Sequence, residues 1–343
     1  MPWPLVKLVP KKTHFQFVRF AVVAAVVSVL AVVTTFASIF SAGLRENPIT
    51  IYQAAHGGPL DRVGAILAKG FNLGIDFKGG TSMEINAPAP IDIGKVRADL
   101  EHFPLGDIQV QSFGDERHAI VRFQPSGEPG RANLQVRSEL TRVIPGVQFS
   151  TFDFVGPKVS GELFASGLIA LGLAIILMLL YIWFRFEWQF GLGAVMALFH
   201  DTILTLGLFS VFRLDFTLTV IAALLTIIGY SMNDTVVVFD RLRENLRKYK
   251  RMSLEEVIDL STNETLSRTM ITSLTALIAA VALLVFGGPI LQGFAIAMIF
   301  GILIGTYSSI YVAAPAILLW GVKRGESEPP REHGLAQAGE AKG

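Results

Sequence analysis

The sequence contains no cysteine among its 343 residues. That absence excludes disulfide bonds, thiolate metal sites and cysteine nucleophiles. Charged side chains are also scarce, because Asp, Glu, Lys and Arg make up 17% of the chain while apolar residues make up 52%. Soluble domains carry about 25% charged residues. Together with a mean hydropathy of +0.52, this composition indicates a membrane protein with several spans.

A strong net charge is missing as well. The chain carries 29 Lys and Arg against 28 Asp and Glu, so it has no global field that would attract nucleic acid. The long segment between the first two apolar runs contains no phosphate loop, metal-ligand cluster or nucleophile elbow. We therefore expect no cofactor, no metal and no enzymatic activity.

Long apolar runs predict six transmembrane helices, called spans 1 to 6 below. Span 1 lies at 20–44, where no residue is charged, and is long enough to cross a hydrocarbon core of about 30 Å. A later uncharged run, from Thr269 to Val322, is broken at Gly287-Gly288-Pro289 and therefore predicts spans 5 and 6. Span 5 is expected to begin a turn or more before Arg268. Spans 2, 3 and 4 are Leu163–Phe184, Trp188–Phe212 and Phe216–Phe239.

Clustered basic residues predict the orientation of the chain. Six of them follow span 4: Arg241, Arg243, Arg247, Lys248, Lys250 and Arg251. Because cytoplasmic loops carry the excess of Lys and Arg, this segment and both termini are expected in the cytoplasm. The predicted divisions are 1–19 for a cytoplasmic N-terminus, 20–44 for span 1, 45–160 for a periplasmic domain, 161–322 for spans 2 to 6 with a basic cytoplasmic loop at 241–262, and 323–343 for a disordered cytoplasmic tail.

The segment between spans 1 and 2 shows the periodicities of a small α/β domain. Alternating patterns predict strands at Ser82–Asn86 and Val147–Phe154. A hairpin is expected around Gly114-Asp115. The full order is strand 82–86, helix 91–103, strands 107–113 and 119–123, helix 132–144 and strand 147–154. This β-α-β-β-α-β order predicts a ferredoxin-like sandwich, which we expect to act as a binding or moving part.

Asp234 lies in the segment GYSMNDTVVVFDRLREN, Gly229 to Asn245, near the end of span 4. A carboxylate at membrane depth costs roughly 2.5 to 3.5 kcal/mol on insertion scales, so it marks a candidate functional site. Arg268 on span 5 is its expected counter-ion, with Asn233 and Thr272 beside the pair. A carboxyl group that can lose its arginine could carry a proton, whereas a permanent pair would only hold spans 4 and 5 together; both interpretations stay open.

His200 and Asp201 form a second candidate in the middle of span 3. They could line a proton route or could hydrogen-bond a neighbouring helix as structural contacts. Two aspartates in membrane spans also occur in intramembrane aspartyl proteases. The YD and GxGD signatures of that class are absent, since Ser231 follows Tyr230. The sequence therefore disfavours an enzyme.

Five motifs resemble the SecF proteins of the SecD/SecF family, protein-export membrane subunits of the RND superfamily. They are GIDFKGGT at 74–81, VGP at 155–157, HD at 200–201, the segment 229–245, and NETLSRT at 263–269 followed by Thr272-Ser273. The family motif in the first of them places Gly74, Asp76, Gly79 and Gly80 in the small domain. Lys78 departs from it, since the family usually has a small or hydroxyl residue there.

The resemblance implies a subunit of the bacterial cytoplasmic membrane that pairs with SecD and binds the SecYEG channel, with YajC as a further associate. It also implies use of the proton motive force to complete the passage of unfolded preproteins after the ATP-driven step of SecA. The family's essential aspartate and its partner arginine fall on Asp234 and Arg268. Two alternatives remain: half of an RND-type exporter of lipids or small molecules, and a structural subunit that conducts nothing.

Overall fold

The structure is a computed structural model that describes residues 13–45, 69–106, 108–113, 115–125 and 129–322. Parts of three predicted divisions lie outside the described residues: the first part of the N-terminus (1–12), the start of the predicted periplasmic domain (46–68) and the tail (323–343). Gly114, at the tip of the predicted hairpin, also lies outside them.

Six helices in the described part of the chain are long and apolar enough to cross a membrane, which confirms the predicted number of spans. Their bounds are Ala21–Arg45, Pro157–Arg185, Trp188–Val211, Leu218–Lys248, Leu254–Phe286 and Gly288–Ser308. Span 6 continues through a π-helical turn, Ser309–Ala313, into the helix Ala314–Trp320. The predicted break between spans 5 and 6 is a tight turn at Gly287, followed by Gly288 with a φ of 72°.

The predicted basic loop at 241–262 is wrong, because most of this segment is helical. Span 4 runs on to Lys248 and span 5 begins at Leu254, which leaves a turn of residues 249–253. A capping box formed by Ser253 and Glu256 starts span 5, satisfying backbone donors that the first turn leaves free.

Packing explains why these charged segments are helical. Arg241 donates to Glu264 at 2.7 Å, and Asn245 donates to Ser261 at 3.0 Å, so the two helices are joined beyond the apolar runs. Between the charges, apolar residues recur at helical spacing and are buried in the core: Leu242, Leu246, Val257 and Ile258. The many charged residues of this segment made the helical spacing of its apolar residues difficult to recognise in the sequence.

The domain between spans 1 and 2 is an α/β sandwich with one four-stranded sheet. Its elements are β1 (Asn72–Leu73), α1 (Ile75–Lys78), β2 (Gly80–Asn86), α2 (Ile93–Leu100), β3 (Gln109–Phe113), β4 (Asp115–Phe123), α3 (Pro129–Val143) and β5 (Gln148–Val155). The strand order is β3-β4-β2-β5, and all neighbours are antiparallel. This order confirms the predicted ferredoxin-like fold.

Several element boundaries in this domain differ from the prediction by one to four residues, and contacts explain two of them. Helix α2 ends at Leu100 rather than Phe103, because residues 101–106 turn back toward the sheet, where Gly106 donates to the carbonyl of Gln124. Strand β4 begins at Asp115, four residues early, because its exposed polar end is still paired: Asp115 with Phe113 of β3 across a bulge, and His118 with Asn86 of β2. Alternation of apolar residues marks a strand's buried part and misses its solvated end.

Both domain helices cover one face of the sheet. Val96 and Leu100 on α2 and Val136 and Leu140 on α3 are at most 2% exposed. They pack against sheet residues of the same core: Met83, Ile85, Val121 and Phe123. The opposite face of the sheet is turned toward the ends of the spans, where polar residues of β2, β4 and β5 line a cleft.

Spans 3 and 4 form the centre of the bundle, whereas spans 1, 2 and 5 leave most of their apolar surface uncovered. Small residues permit the close contacts. A Cβ on Gly193 of span 3 would lie 2.7 Å from the carbonyl oxygen of Ala313. A Cβ on Gly301 of span 6 would lie 2.4 Å from Ile227 of span 4. Backbones therefore approach as in other helix pairs with small residues at the interface.

We expect Gly193→Ala to destabilise the protein in detergent by about 1 to 3 kcal/mol, because a carbonyl oxygen cannot move aside as a side chain can. The thermal unfolding midpoint measures this effect. Gly172→Ala is the matched control, because a Cβ there meets nothing within 4 Å. Equal midpoints for the two variants would contradict the packing described here.

Candidate functional site

Asp234 is 2% exposed and lies on span 4 facing span 5. Its Oδ1 is 3.5 Å from the hydroxyl of Thr272, a long contact. Its Oδ2 is buried and has no hydrogen-bond partner among the described residues. A buried carboxylate with so few partners has little to offset the cost of burying its negative charge. The protonated, neutral form loses less on burial and needs fewer partners.

Arg268 does not form the expected direct pair with Asp234. It is close enough to act electrostatically on the carboxylate, but no ion pair or hydrogen bond joins the two side chains among the described residues, and Arg268 is exposed on span 5. The reason is geometric, since Thr272, one helical turn later, occupies the position that faces Asp234. Asn233, predicted beside the site, is likewise exposed on the outer surface of span 4.

Two hydroxyl side chains lie near Asp234, those of Thr272 on span 5 and Tyr230 on span 4, and further hydroxyls lie beside these two. Tyr230, one turn before Asp234 on span 4, lies beside Thr272 and Ser273 of span 5. Ser273 and Thr306 of span 6 are joined by a hydrogen bond of 2.7 Å between their hydroxyls. The hydroxyls of Tyr230 and Thr269 are buried without a partner in the described structure. We call Tyr230, Asp234, Thr269 and Thr272 the Asp234 cluster.

Asp201 is also 2% exposed, but both of its carboxylate oxygens have hydrogen-bond partners. Its Oδ2 accepts from Ser231 of span 4 at 2.5 Å and from Ser308 of span 6 at 2.7 Å. Its Oδ1 is 2.9 Å from Nδ1 of His200. The carboxylate thus joins spans 3, 4 and 6 and is well compensated as an anion.

This network continues to span 1. Nε2 of His200 is 3.1 Å from the hydroxyl of Ser28, which is 3.0 Å from that of Tyr307; Tyr307 donates to the carbonyl of Ala24 at 2.8 Å. The π-helical turn of span 6 begins immediately after Ser308, and such turns often occur at functional sites. We call Asp201, His200, Ser28, Ser231, Tyr307 and Ser308 the Asp201 cluster.

The two clusters are separate in their contacts. No hydrogen bond joins Asp201 to Asp234 in the described part of the chain, although Ser231, a partner of Asp201, is three residues before Asp234 on the same helix. Paired carboxylates of the protease type are therefore not found between these residues. The described residues also include no group of three or more His, Asp or Glu side chains that could hold a metal ion.

Sequence reasoning identified both aspartates, His200 and Thr272, but missed their other partners. Ser28, Ser231, Ser308 and Tyr307 are single hydroxyl residues in apolar runs, and nothing in their spacing marks them. The sequence gives little evidence that such residues belong to a site, because an isolated hydroxyl in a span normally donates to a carbonyl of its own helix, as Thr205 and Thr226 do here.

The GIDFKGGT motif lies where the small domain meets the start of span 4. The amide of Gly74 donates to the carbonyl of Phe216 at 2.9 Å, and Oδ2 of Asp76 accepts from the amide of Leu218 at 2.9 Å. Gly79 and Gly80 have φ values of 72° and 126° and form the turn from α1 into β2, a conformation that favours glycine. The side chain of Lys78 points outward and is exposed, so this departure from the family motif is accommodated without strain.

A cleft of about 500 Å³ separates the open face of the sheet from the ends of the spans. Its walls combine polar residues, among them Glu84, Arg122 and Asp153, with apolar ones such as Ile120 and Ile290. The sequence had given no sign of a ligand pocket in this domain, because the cleft forms between two parts of the chain that are distant in sequence.

Six spans, buried titratable groups and a ferredoxin-like domain between spans 1 and 2 define a polytopic membrane protein of the transport type. The family described as "Protein export membrane protein SecD/SecF, C-terminal" matches residues 135–323, and the "SecD/SecF GG Motif" family matches residues 64–87. The chain therefore belongs to the SecD/SecF family of protein-export membrane proteins, and within it to the SecF subunits.

Individual relatives agree with this assignment. A protein of Rhodobacter capsulatus named "Protein translocase subunit SecF" is 44% identical over 340 residues, which cover 94% of this chain and 93% of that protein. A protein of the same name from Cereibacter sphaeroides is 49% identical over 272 residues, covering 76% and 84%. These matches show a multi-pass subunit of a protein translocase in the inner membrane.

Two solved structures are similar as well. The crystal structure of SecDF from Thermus thermophilus, described as a translocon-associated membrane protein, matches 91% of this chain with a TM-score of 0.75 and 31% identity. SecDF in a "super-membrane-facing form" matches 93% with a TM-score of 0.57 and 30% identity. This chain spans 39% and 40% of those solved chains.

We expect Asp201→Ala to destabilise the bundle by about 3 to 5 kcal/mol, because it leaves Ser231, Ser308 and His200 buried without their common acceptor. Unfolding in a mixed detergent series measures the change. Ser38→Ala is the control, because it removes a single hydroxyl contact between spans 1 and 3, to Ser210 at 2.9 Å, and should cost about 1 kcal/mol or less. A loss for Asp201→Ala no larger than that of the control would show that the network does not hold the spans together.

Proposed function

We propose that this chain works with a SecD partner at the SecYEG channel, where it uses the proton motive force to complete preprotein translocation after the SecA step. YajC is a further proposed associate. In this proposal the proton gradient is the energy source, no cofactor takes part, and the chain catalyses no covalent reaction. The observation that carries the proposal is that Asp234 is buried in a membrane span with one long contact and an oxygen that has no partner among the described residues.

Asp234 has the features of a site that can exchange a proton. Burial disfavours its charged form, while the nearby guanidinium of Arg268 favours it, and one long contact to Thr272 does little to compensate the charge. In this proposal two arrangements of Asp234 alternate: a neutral carboxyl group, which burial and the lack of partners favour, and an ionised one drawn toward Arg268. A proton gradient can bias such a two-state element.

The Asp201 cluster supports a different role in the same proposal. Asp201 already has three hydrogen-bond partners on spans 3, 4 and 6, so we propose that it holds the bundle together while Asp234 exchanges its proton. His200, Ser28 and Tyr307 then form a polar route that leads from Asp201 toward span 1. Asp234 remains the group whose charge changes.

Polar residues on the outer surface of spans 4 and 5 support the SecD partnership. Asn233 and Arg268 are exposed in this chain alone, near the charged ends of the apolar runs of their helices. An arginine that faces lipid is costly, and helices of a partner subunit would cover both residues. The solved SecDF chains are more than twice as long as this one, which leaves room for such a partner.

The exporter alternative has less support. The relatives described above are named as protein translocase subunits, and the cleft at the sheet is lined by both charged and apolar residues. A mixed lining fits a segment of unfolded polypeptide better than a lipid. The structural-subunit alternative is addressed by the following experiment.

We expect Asp234→Asn to abolish the gain in preprotein transport that a proton gradient produces in vesicles containing this chain, SecD and SecYEG. The substitution keeps the shape of the side chain and removes its titration. Transport of a preprotein into the vesicles is measured with and without the gradient.

Asp240→Asn is the matched control on the same helix, because Asp240 pairs with Arg185 at 2.6 Å near the end of the span and should leave the gain intact. If Asp234→Asn responds to the gradient like wild type while the complex assembles normally, the chain is a structural subunit.

We expect the small domain and the 249–253 turn on opposite sides of the membrane, with the turn and both termini in the cytoplasm. Because the chain has no cysteine, Ser138→Cys and Lys250→Cys each introduce one thiol at an exposed position. An impermeant maleimide added to spheroplasts should label the former and spare the latter until the membrane is opened. Labelling of Lys250→Cys in intact spheroplasts would reverse the proposed orientation.

A further inference from the structure

The small domain is attached to span 4 by contacts distant in sequence. Strand β1 pairs in parallel with a two-residue strand, β6 (Asp215–Phe216), that directly precedes span 4. Asn72 faces Asp215 and Leu73 faces Phe216 in this pair. Span 4 begins two residues after β6, at Leu218. Any movement of the first turn of span 4 therefore acts directly on β1.

Polar contacts hold the same junction. Asp76 accepts from the backbone amide of Leu218 at 2.9 Å, so a carboxylate of the small domain caps the first turn of a membrane helix. A negative charge at a helix N-terminus is favourable. Arg122 of β4 donates to Asp215 at 2.6 Å, and both side chains are less than one fifth exposed.

Asn72 strengthens this ion pair. Its amide donates to Oδ1 of Asp215 at 2.7 Å, while its carbonyl oxygen accepts from Gln109 of β3 at 3.2 Å. Asp215 is thus held from both β1 and β4. Two strands of the sheet therefore connect to Asp215, just before span 4: β4 directly through Arg122, and β3 through Gln109 and Asn72.

Aromatic packing closes the apolar side of the junction. Phe77 of α1 is 8% exposed and lies against Phe216 and against Phe164 of span 2, with ring centroids 5.9 and 5.4 Å apart. A Cβ on Gly74 would lie 2.7 Å from Cγ2 of Thr217. The glycine therefore allows α1 to approach the start of span 4 closely.

From these contacts we infer that the GIDFKGGT segment is the joint through which span 4 moves the small domain, and that Asp76 and Arg122 are its positioning residues. Asp234 lies 16 residues beyond Leu218 on the same uninterrupted helix, about 24 Å along its axis. A rigid helix of that length transmits a tilt or shift at Asp234 to its first turn. This inference rests on the proposed function, since it gives the charge change at Asp234 a mechanical output.

The test measures transport and domain position in the reconstituted complex of this chain with SecD and SecYEG. Spin labels at Ser138→Cys in α3 and Ile290→Cys at the start of span 6, both exposed in this chain, report the distance between the domain and the bundle. We expect the wild-type distance to change when a proton gradient is applied, and Asp234→Asn to abolish this change.

Asp76→Ala removes the cap of span 4. It should lower the increase in transport that the proton gradient produces by about fivefold or more, which is the lower end of the range for coupling between two sites. It should also abolish the distance change. Asp76→Asn keeps an acceptor oxygen and should restore at least half of both signals. Asp92→Ala is the matched control, because Asp92 caps α2 inside the domain through an equivalent contact, to the amide of Lys95 at 3.0 Å, and should leave both signals unchanged.

The outcomes separate the joint from the proposed function. If Asp234→Asn loses the transport gain produced by the proton gradient while Asp76→Ala keeps it, the inference that the GIDFKGGT segment is the joint is wrong and the proposed function stands. If Asp234→Asn keeps the gain, the proposed function is wrong, whatever the joint does. Should Asp76→Ala fail to accumulate, Arg122→Gln takes its place, and a full gain with a full distance change in that variant overturns the inference.

Discussion

The structure depends on one constraint: a polar group inside an apolar span must find a partner there, because neither water nor lipid tails supply one within the bundle. Asp201 meets the constraint with three side-chain partners on three helices. Asp234 does not, since its second oxygen has no partner among the described residues. The same type of side chain is thus a fixed connection in one place and a candidate switch in the other.

That contrast determines how the bundle is arranged. Spans 3 and 4 are central because they carry the groups that most need partners, and glycines at positions 193 and 301 allow the neighbouring backbones to come close. Beyond the apolar runs, span 5 is joined to span 4 by the hydrogen bonds of Arg241 to Glu264 and of Asn245 to Ser261. Its middle, which carries Arg268, is left exposed on one side, so the polar face next to Asp234 remains available to a partner subunit.

In the small domain, different interactions stabilise the fold and set its position. Its fold is stabilised by a conventional core between helices α2 and α3 and one face of the sheet. Its position is determined by the passage of β5 into span 2 and by contacts at the start of span 4, to which Asp76 and Arg122 contribute. A domain whose core is separate from its attachment can move as a unit, because shifting the attachment does not disturb the core. The GG motif is thereby explained by geometry: its glycines allow a close approach and a turn with positive φ.

Much of the fold could be predicted from local patterns. Runs of apolar residues marked six spans, and alternation with helical spacing marked the ferredoxin-like order, since both depend on neighbours a few residues apart. The helical ends at 241–248 and 254–262 were missed because charge was counted and the buried Leu242, Leu246, Val257 and Ile258 were not. At the site, the cost of burying a carboxylate singled out Asp234 and Asp201. The pairing of Asp234 with Arg268 was predicted from charge and helical spacing, but Thr272 is the residue of span 5 that contacts Asp234.

Local patterns in the sequence therefore established the number of spans, the class of the small domain and the burial of Asp201 and Asp234, because each follows from composition and spacing within one segment. Only the tertiary structure decided the partners: that Ser28, Ser231, Ser308 and Tyr307 converge on Asp201 and His200, that Asp234 lacks a second partner among the described residues, and that Asp76 caps a helix 142 residues away in the chain. Contacts between distant segments depend on how helices pack and cross, and no local pattern of residues encodes that geometry.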